Sequence, residues 1–259
     1  MPRFSANLTM MFNEYDFMDR YGAAARAGFK AVEYNSPYEY DKERLAEELN
    51  KNGLTQALFN MPAGDWGAGE RGLACLPDRV EEFQETVGSV VEYAPVLGCD
   101  RVNCLSGITP EGVAPDRLRE TLVSNVRFAS EKLAAVGVTV LLEAINTVDM
   151  PGFYLNTTTQ ARSIVEEIDS DNVGYQYDAY HMQVMEGDLA RTIKSNLDII
   201  GHIQIADNPE RHEPGTGEIN YPFLLKYLDE VGYDGWVGCE YRPLANTENG
   251  LGWLKPYLG

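Results

Sequence analysis

Val136-Gly137-Val138-Thr139-Val140-Leu141-Leu142-Glu143 holds, in eight positions, the unit from which the chain is built. Gly137 stops the helix-like stretch Arg117–Val136 in the way a C-cap glycine does. The run that follows has the length and β-branched content of a buried strand, and an acid closes it. The same phrase returns downstream. Val-Gly-Tyr-Gln-Tyr leads into Asp178, His-Ile-Gln-Ile-Ala encloses Gln204, and Trp-Val-Gly-Cys leads into Glu240. A helix-like segment separates each run from the next. Strands that alternate with helices pair in parallel through right-handed crossovers. Four oxygen-bearing side chains then converge at the carboxyl end of one sheet, where α/β barrels place their chemistry.

The alternation extends over the whole chain. Strand-like segments are Phe4–Leu8, Ala31–Tyr34, Thr55–Phe59, Arg101–Leu105, Val138–Glu143, Val173–Asp178, His202–Ala206 and Trp236–Glu240. Helix-like stretches are Asp16–Ala27, Lys42–Lys51, Val80–Leu97, Arg117–Val136, Thr158–Ile168, Asp188–Ser195 and Phe223–Val231. Glycines before an apolar run, as in Leu-Gly-Cys at 97–99 and Val-Gly-Tyr at 231–233, fix several of the boundaries. The length of 259 residues suits one eight-unit barrel of about 250. No low-complexity stretch or linker divides it, so residues 1–259 are expected to form a single (β/α)8 TIM-barrel catalytic domain. A doubly wound open sheet is the alternative, but no G-x-G-x-x-G follows the first strand to support a dinucleotide site. The longest irregular stretches, Asn60–Pro77, Ala144–Asn156 and Asp207–Pro222, all follow strands and so belong to the catalytic face.

Hydrophobic residues make up 44% of the chain, enough for a full core. The formal net charge is −19, with 40 acidic residues against 21 basic. Such a surface repels phosphate backbones and disfavours nucleic acid. An anionic substrate would need a local basic group. The four cysteines, Cys75, Cys99, Cys104 and Cys239, have no regular spacing and read as reduced residues of a cytoplasmic protein. Cys104 and Cys239 lie in strand-like runs and read as core fillers. No signal pattern opens the chain. No apolar run approaches the ~18 residues of a membrane helix. A homo-oligomer is left open.

Three carboxylates and an amide at one point repel one another unless a hard cation lies between them. All-oxygen ligands suit Mg²⁺ or Mn²⁺, so Glu143, Asp178, Gln204 and Glu240 are the candidate metal ligands. Glu143 and Glu240 would also flank a small molecule. Two carboxylates beside a carbon next to a carbonyl can shuttle a proton across an enediolate, and a cation would stabilise the oxyanion. His181 follows Asp178 by three residues, and a loop there could bring its imidazole over the sheet to bind a substrate oxygen. His202 shares strand parity with Gln204, so both could point inward; His212 reads as exposed. The glycine-rich stretch Pro62–Gly72 reads as a lid that lays Trp66 over the site and offers Glu70 or Arg71 to the substrate. Arg71, Arg211 and Arg242 are the arginines in loops of this face, and Arg71 is the preferred carboxylate clamp.

The residues resemble the hydroxypyruvate isomerase family, including its 2-oxo-tetronate isomerase branch. The resemblance rests on Phe59-Asn60 with Pro62-Ala63-Gly64-Asp65-Trp66 and Gly69-Glu70-Arg71-Gly72, and on Leu142-Glu143-Ala144-Ile145-Asn146. It continues through Asp178-Ala179-Tyr180-His181-Met182-Gln183, Gly201-His202-Ile203-Gln204-Ile205-Ala206 and Gly238-Cys239-Glu240-Tyr241. It spans essentially the whole chain. It implies a xylose-isomerase-like TIM barrel with a divalent metal at the ends of strands five to eight. It also implies Glu143 and Glu240 as acid/base pair and ligands, completed by Asp178 and Gln204. His181 and Arg211 match substrate-binding positions of related keto-sugar epimerases.

Two segments depart from the family pattern, and Glu143-Ala144-Ile145-Asn146 is close to but not identical with the usual Glu-Pro-Ile-Asn. Asn103-Cys104-Leu105-Ser106-Gly107 stands where a histidine-containing Val-His-Val-Met-Ala-Gly run is usual, and Asn35-Ser36-Pro37 replaces Leu-Phe-Pro. The expected reaction converts a small 2-oxo-3-hydroxy acid such as hydroxypyruvate to its aldehyde isomer, tartronate semialdehyde. Rivals are a 2-oxo-tetronate isomerase, a keto-sugar 3-epimerase on the same site, and a non-catalytic sugar-acid-binding protein. An abasic-site endonuclease would need several histidine ligands and a basic face, against which three histidines and the charge of −19 argue.

Overall fold

Eight parallel strands close into a barrel in sequence order, with the first pairing the last, in a computed structural model that describes residues 1–257. The strands are β1 (Arg3–Asn7), β2 (Ala31–Tyr34), β3 (Thr55–Asn60), β4 (Arg101–Cys104), β5 (Thr139–Glu143), β6 (Val173–Asp178), β7 (Ile200–Ile205) and β8 (Trp236–Cys239). The helices are α1 (Phe17–Arg26), α2 (Lys42–Asn52), α3 (Val80–Leu97), α4 (Pro115–Ala134), α5 (Thr158–Ile168), α6 (Ala179–Met185), α7 (Leu189–Ser195), α8 (Tyr221–Val231) and α9 (Thr247–Gly250). All eight expected strands are present, β2 and β6 at the expected bounds and the others with ends displaced by one or two residues. Gly98 and Gly232 stop α3 and α8 with φ of 62° and 84°, a left-handed conformation that a side chain would strain.

Helix α6 was not expected. Residues 179–181 read as a loop because Asp178 ends a strand and His181 follows it by three residues. Asp178 instead serves as the helix N-cap, accepting the N–H of Tyr180 at 2.8 Å and that of His181 at 3.4 Å. His181 therefore stands on the first turn of a helix, fixed relative to Asp178 by the backbone.

Leucine, valine and aromatic side chains fill the layer between barrel and helices. The barrel interior differs from the branched apolar layers usual in this architecture. Registers Gln176↔His202 and Asp178↔Gln204 give these side chains one parity, and Asn7↔Glu33 and Ser5↔Gly238 extend it. At the centre lies Glu33, fully buried. Its carboxylate accepts from Ser5 Oγ at 2.7 Å, His202 Nε2 at 2.9 Å and Gln204 Nε2 at 2.8 Å. Burial alone would raise its pKa, but His202 and the hydrogen bonds outweigh this and hold it below the usual carboxylate value. Gly238 makes the room: a Cβ there would stand 2.7 Å from Glu33 Cδ. No helix among the described residues is long and apolar enough to cross a membrane.

Candidate active site

Glu143 closes β5 with its side chain inside the barrel mouth, and Asn103 of β4 donates to its Oε2 at 2.6 Å. Asn103 Oδ1 is buried without a partner. On β6, Asp178 is wholly buried, and on α6 His181 turns its Nε2 to within 3.5 Å of Asp178 Oδ2. Glu143, Asp178 and His181 each place one ligand atom within 4.8 Å of the others. Asn146, three residues past Glu143, meets His181 Nδ1 at 2.7 Å.

The loop after β7 supplies the cation. Asp207 shapes it by accepting three backbone N–H groups, from Asn208 and Ile219 on Oδ1, both at 3.0 Å, and from Gly215 on Oδ2 at 2.8 Å. Within it Arg211 takes a positive φ of 60°, a strained setting of the kind that clusters at functional sites. Its guanidinium is buried over the Tyr180 ring and lies 2.6 Å from Glu240 Oε2, 3.5 Å from Asp178 Oδ2 and 3.4 Å from His181 Nε2. Arg211 Nε has no partner. Glu240 sits one residue past β8, and Asn7 of β1 donates to its other oxygen at 3.0 Å.

Gln204, on β7, is tied into the barrel interior. Its Nε2 donates to Glu33, and its Oε1 accepts from Gln176 Nε2 at 2.6 Å. An amide oxygen has two lone pairs, so one stays available to a cation. Glu143, Arg211 and Glu240 open on a cavity of about 750 Å³ also lined by Trp66, Asn35 and Ser36. Two of the departing positions thus face the cavity, and the third, Asn103, holds Glu143.

The lid residues are placed differently from one another. Trp66 lines the cavity and stays 45% exposed, which leaves its ring free to cover a ligand. Arg71 is stacked on the Trp66 ring at 4.0 Å and donates to the carbonyls of Trp66 and Glu70. Glu70 is turned away, held by Arg79 at 2.5 Å and by the Asp65 N–H at 2.6 Å. His202 lies inside the barrel on Glu33, and His212 Nδ1 donates to the carbonyl of Arg242 at 2.7 Å. Sequence reasoning did not single out Glu33, Asn7 or Asn146. A glutamate inside the apolar run Ala-Val-Glu-Tyr was the one available signal for the first.

Three buried carboxylates face one guanidinium. Burial first, then Glu240 and Asp178, push Glu143 well above the usual carboxylate range. Burial, only partly offset by Arg211, pushes Glu240 up to about 8. Burial also raises Asp178 against the pull of Arg211. Such a site would hold its carboxylates ionised more readily around a divalent cation, so this donor set fits one.

The model of the family described as xylose isomerase-like TIM barrel matches residues 21–257. A 2-oxo-tetronate isomerase of Cupriavidus necator is 54% identical over 259 residues, covering 100% of each chain. A hydroxypyruvate isomerase of Escherichia coli is 51% identical over 257 residues, covering 99% of this chain and 100% of its own. A crystal structure from Brucella melitensis, described as an AP endonuclease of family 2, superposes with a TM-score of 0.97 at 48% identity, covering 99% of both chains.

Proposed function

Because the chain belongs to the xylose isomerase-like TIM barrel family, with full-length relatives that are isomerases of small keto acids, we propose that it interconverts a 2-oxo-3-hydroxy acid and its aldehyde isomer. Hydroxypyruvate and tartronate semialdehyde are the three-carbon pair. The observation that carries this reading is the placement of Glu143 and Glu240 on one cavity wall, with Arg211 beside them.

Glu143 keeps Oε1 free of hydrogen bonds among the described residues, since Asn103 engages only Oε2. That oxygen takes the proton from C3 of the substrate. Glu240, gripped by Asn7 and Arg211, returns a proton to C2, while the hydroxyl proton passes from O3 to O2 and balances the exchange. Arg211, buried and with an unpartnered Nε, binds the substrate's acid group or its neighbouring oxygen. We favour it over Arg71, whose Nη1 donates to two backbone carbonyls while the guanidinium stacks on Trp66. Trp66 excludes water. Glu143, Asp178, Glu240 and the Gln204 oxygen would hold Mg²⁺ or Mn²⁺. When bound, the ion would polarise the carbonyl and stabilise the charge that develops on its oxygen.

A four-carbon substrate is the second reading. The cavity of about 750 Å³ leaves room beyond three carbons, and the Cupriavidus necator relative carries the 2-oxo-tetronate name. An endonuclease is disfavoured, because His202 is committed to Glu33 and His212 to a backbone carbonyl. The deciding experiment offers hydroxypyruvate, 2-oxo-tetronate and a free ketose in parallel, in D₂O with Mg²⁺ or Mn²⁺. Deuterium should enter at carbon only in the two acids. Arg211→Met should weaken their capture by roughly 2–4 kcal/mol, the scale for breaking a desolvated charge pair, and Arg71→Met by far less. Turnover confined to the ketose would sink the acid reading.

A further inference from the structure

We propose that Asn146 is a positioning residue whose side-chain amide fixes the tautomer of His181, so that Nε2 carries the hydrogen and faces Asp178 and Arg211 as a donor rather than as a ligand to a metal. This deepens the proposed function and rests on its placing of the substrate at Arg211, which His181 adjoins.

By distance alone, His181 groups with Glu143 and Asp178 as a ligand. The hydrogen bonds on its far side exclude that. Asn146 Oδ1 accepts the backbone N–H groups of Val148 at 3.1 Å and Asp149 at 2.8 Å. Turning the amide over would set its NH₂ against both donors, so its orientation is fixed by the backbone rather than assigned by choice. Nδ2 must then face His181 Nδ1, at 2.7 Å, and Asp149 Oδ2, at 3.1 Å. An NH₂ only donates, so Nδ1 is the acceptor and bears the lone pair. The protonated ring would oppose an N–H to that NH₂ and is excluded on the same geometry. The single ring hydrogen is on Nε2.

The consequence lies at Nε2. His181 Nε2 stands 3.4 Å from Arg211 Nη2, and both nitrogens now carry hydrogens. Asp178 Oδ2 lies 3.5 Å from each of them, so the two donors converge on one acceptor at a distance loose enough for a substrate oxygen held by Arg211 to share them. Donors set in advance around an oxygen that gains charge are the usual form of oxyanion stabilisation. Asp149 also accepts from the Tyr180 hydroxyl at 2.8 Å, and the Tyr180 ring lies under Arg211. One bracket thus steadies both donors. With Nε2 protonated, Gln204 is left as the neutral member of the metal set.

The test uses the metal-loaded enzyme with ¹⁵N-labelled histidine rings. The chain has three histidines, and His212, which donates from Nδ1, supplies an internal contrast. Loss of one signal set in His181→Asn assigns the site. The wild type should show His181 hydrogenated on Nε2. Asn146→Asp presents an acceptor to Nδ1, so the hydrogen should move there and kcat fall by about 10²–10³-fold, the scale for one lost oxyanion donor. Metal content should be unchanged. Asn146→Ser keeps a hydroxyl able to donate and should retain the Nε2–H form with most of the activity. A wild type hydrogenated on Nδ1, or with Nε2 bare and shifted by the metal, overturns the proposal. So does an inverted tautomer in Asn146→Asp with unchanged kcat. A wild type that shows the Nε2–H form yet turns over no 2-oxo acid supports the assignment and overturns the functional reading instead.

Discussion

Glu143 and Glu240 differ in how their oxygens are engaged. Asn103 holds one oxygen of Glu143 and leaves the other to the cavity, whereas Asn7 and Arg211 hold both oxygens of Glu240. Glu143→Gln should therefore remove the more mobile base and lower kcat by about 10²-fold or more, the scale for a lost general acid or base. Glu240→Gln should cost activity as well and also raise KM, because Arg211 loses its charged partner. Both variants must be compared at matched metal content, measured by elemental analysis. Near-wild-type turnover in either would remove that glutamate from the proton path. The four proposed ligands could be picked out as a set because each stands at or near the end of a strand-like run. Asn7 and Asn146 were not legible as parts of the site, and Asn103 stood out only as a departure from the family pattern, not as a partner of Glu143. A neutral amide carries no charge signature, and its role depends on a partner 40 residues away in the Asn103 case and 35 in the Asn146 case.

Among the elements, the strands were the most readable and the turns between them the least. C-cap glycines and β-branched runs mark strands locally, but α6 begins where a strand acid doubles as an N-cap, and no local pattern separates the two uses of Asp178. The lid shows the same limit. Its glycines announce a shaped loop, yet only the folded chain shows that Glu70 is a latch to Arg79 and the Asp65 N–H. Gly64 belongs to the latch, since a Cβ there would meet the Glu70 carboxylate. The pair is about 30% exposed on each side, so it contributes little to global stability, about 0–1 kcal/mol. Glu70→Gln should leave the melting temperature nearly unchanged while loosening residues 62–72. The expected readout is a KM raised a few-fold at constant kcat, with faster limited proteolysis within the lid. A loss of kcat at constant KM would mean that Glu70 acts in the chemistry and not through the loop.

For the molecule as a whole, the polar interior ties the closed sheet together. Glu33 on β2 reaches β1 through Ser5 and β7 through His202 and Gln204. Removing one partner of a buried charged network typically costs 3–5 kcal/mol. Glu33→Gln should lower the unfolding free energy read from urea melts by about that much, whereas a change within about 1 kcal/mol would show the carboxylate to be dispensable. The active face sits directly above this network, and its proposed ligands come from β5, β6 and β7 and from the residue after β8. A cation bound there would bridge four consecutive strands that are far apart in the unfolded chain, so it would bind the folded state almost exclusively. At a hundred times its dissociation constant it should add about 2.7 kcal/mol of stability. In a chain of this size that corresponds to a rise of roughly 5–10 °C in melting temperature. The control is NaCl at equal ionic strength, because screening a net charge of −19 stabilises the fold without any site. Mg²⁺ or Mn²⁺ should exceed that control, a chelator should abolish the excess, and Asp178→Asn should blunt it. A shift no larger than the salt control would leave the four strand ends without their ion.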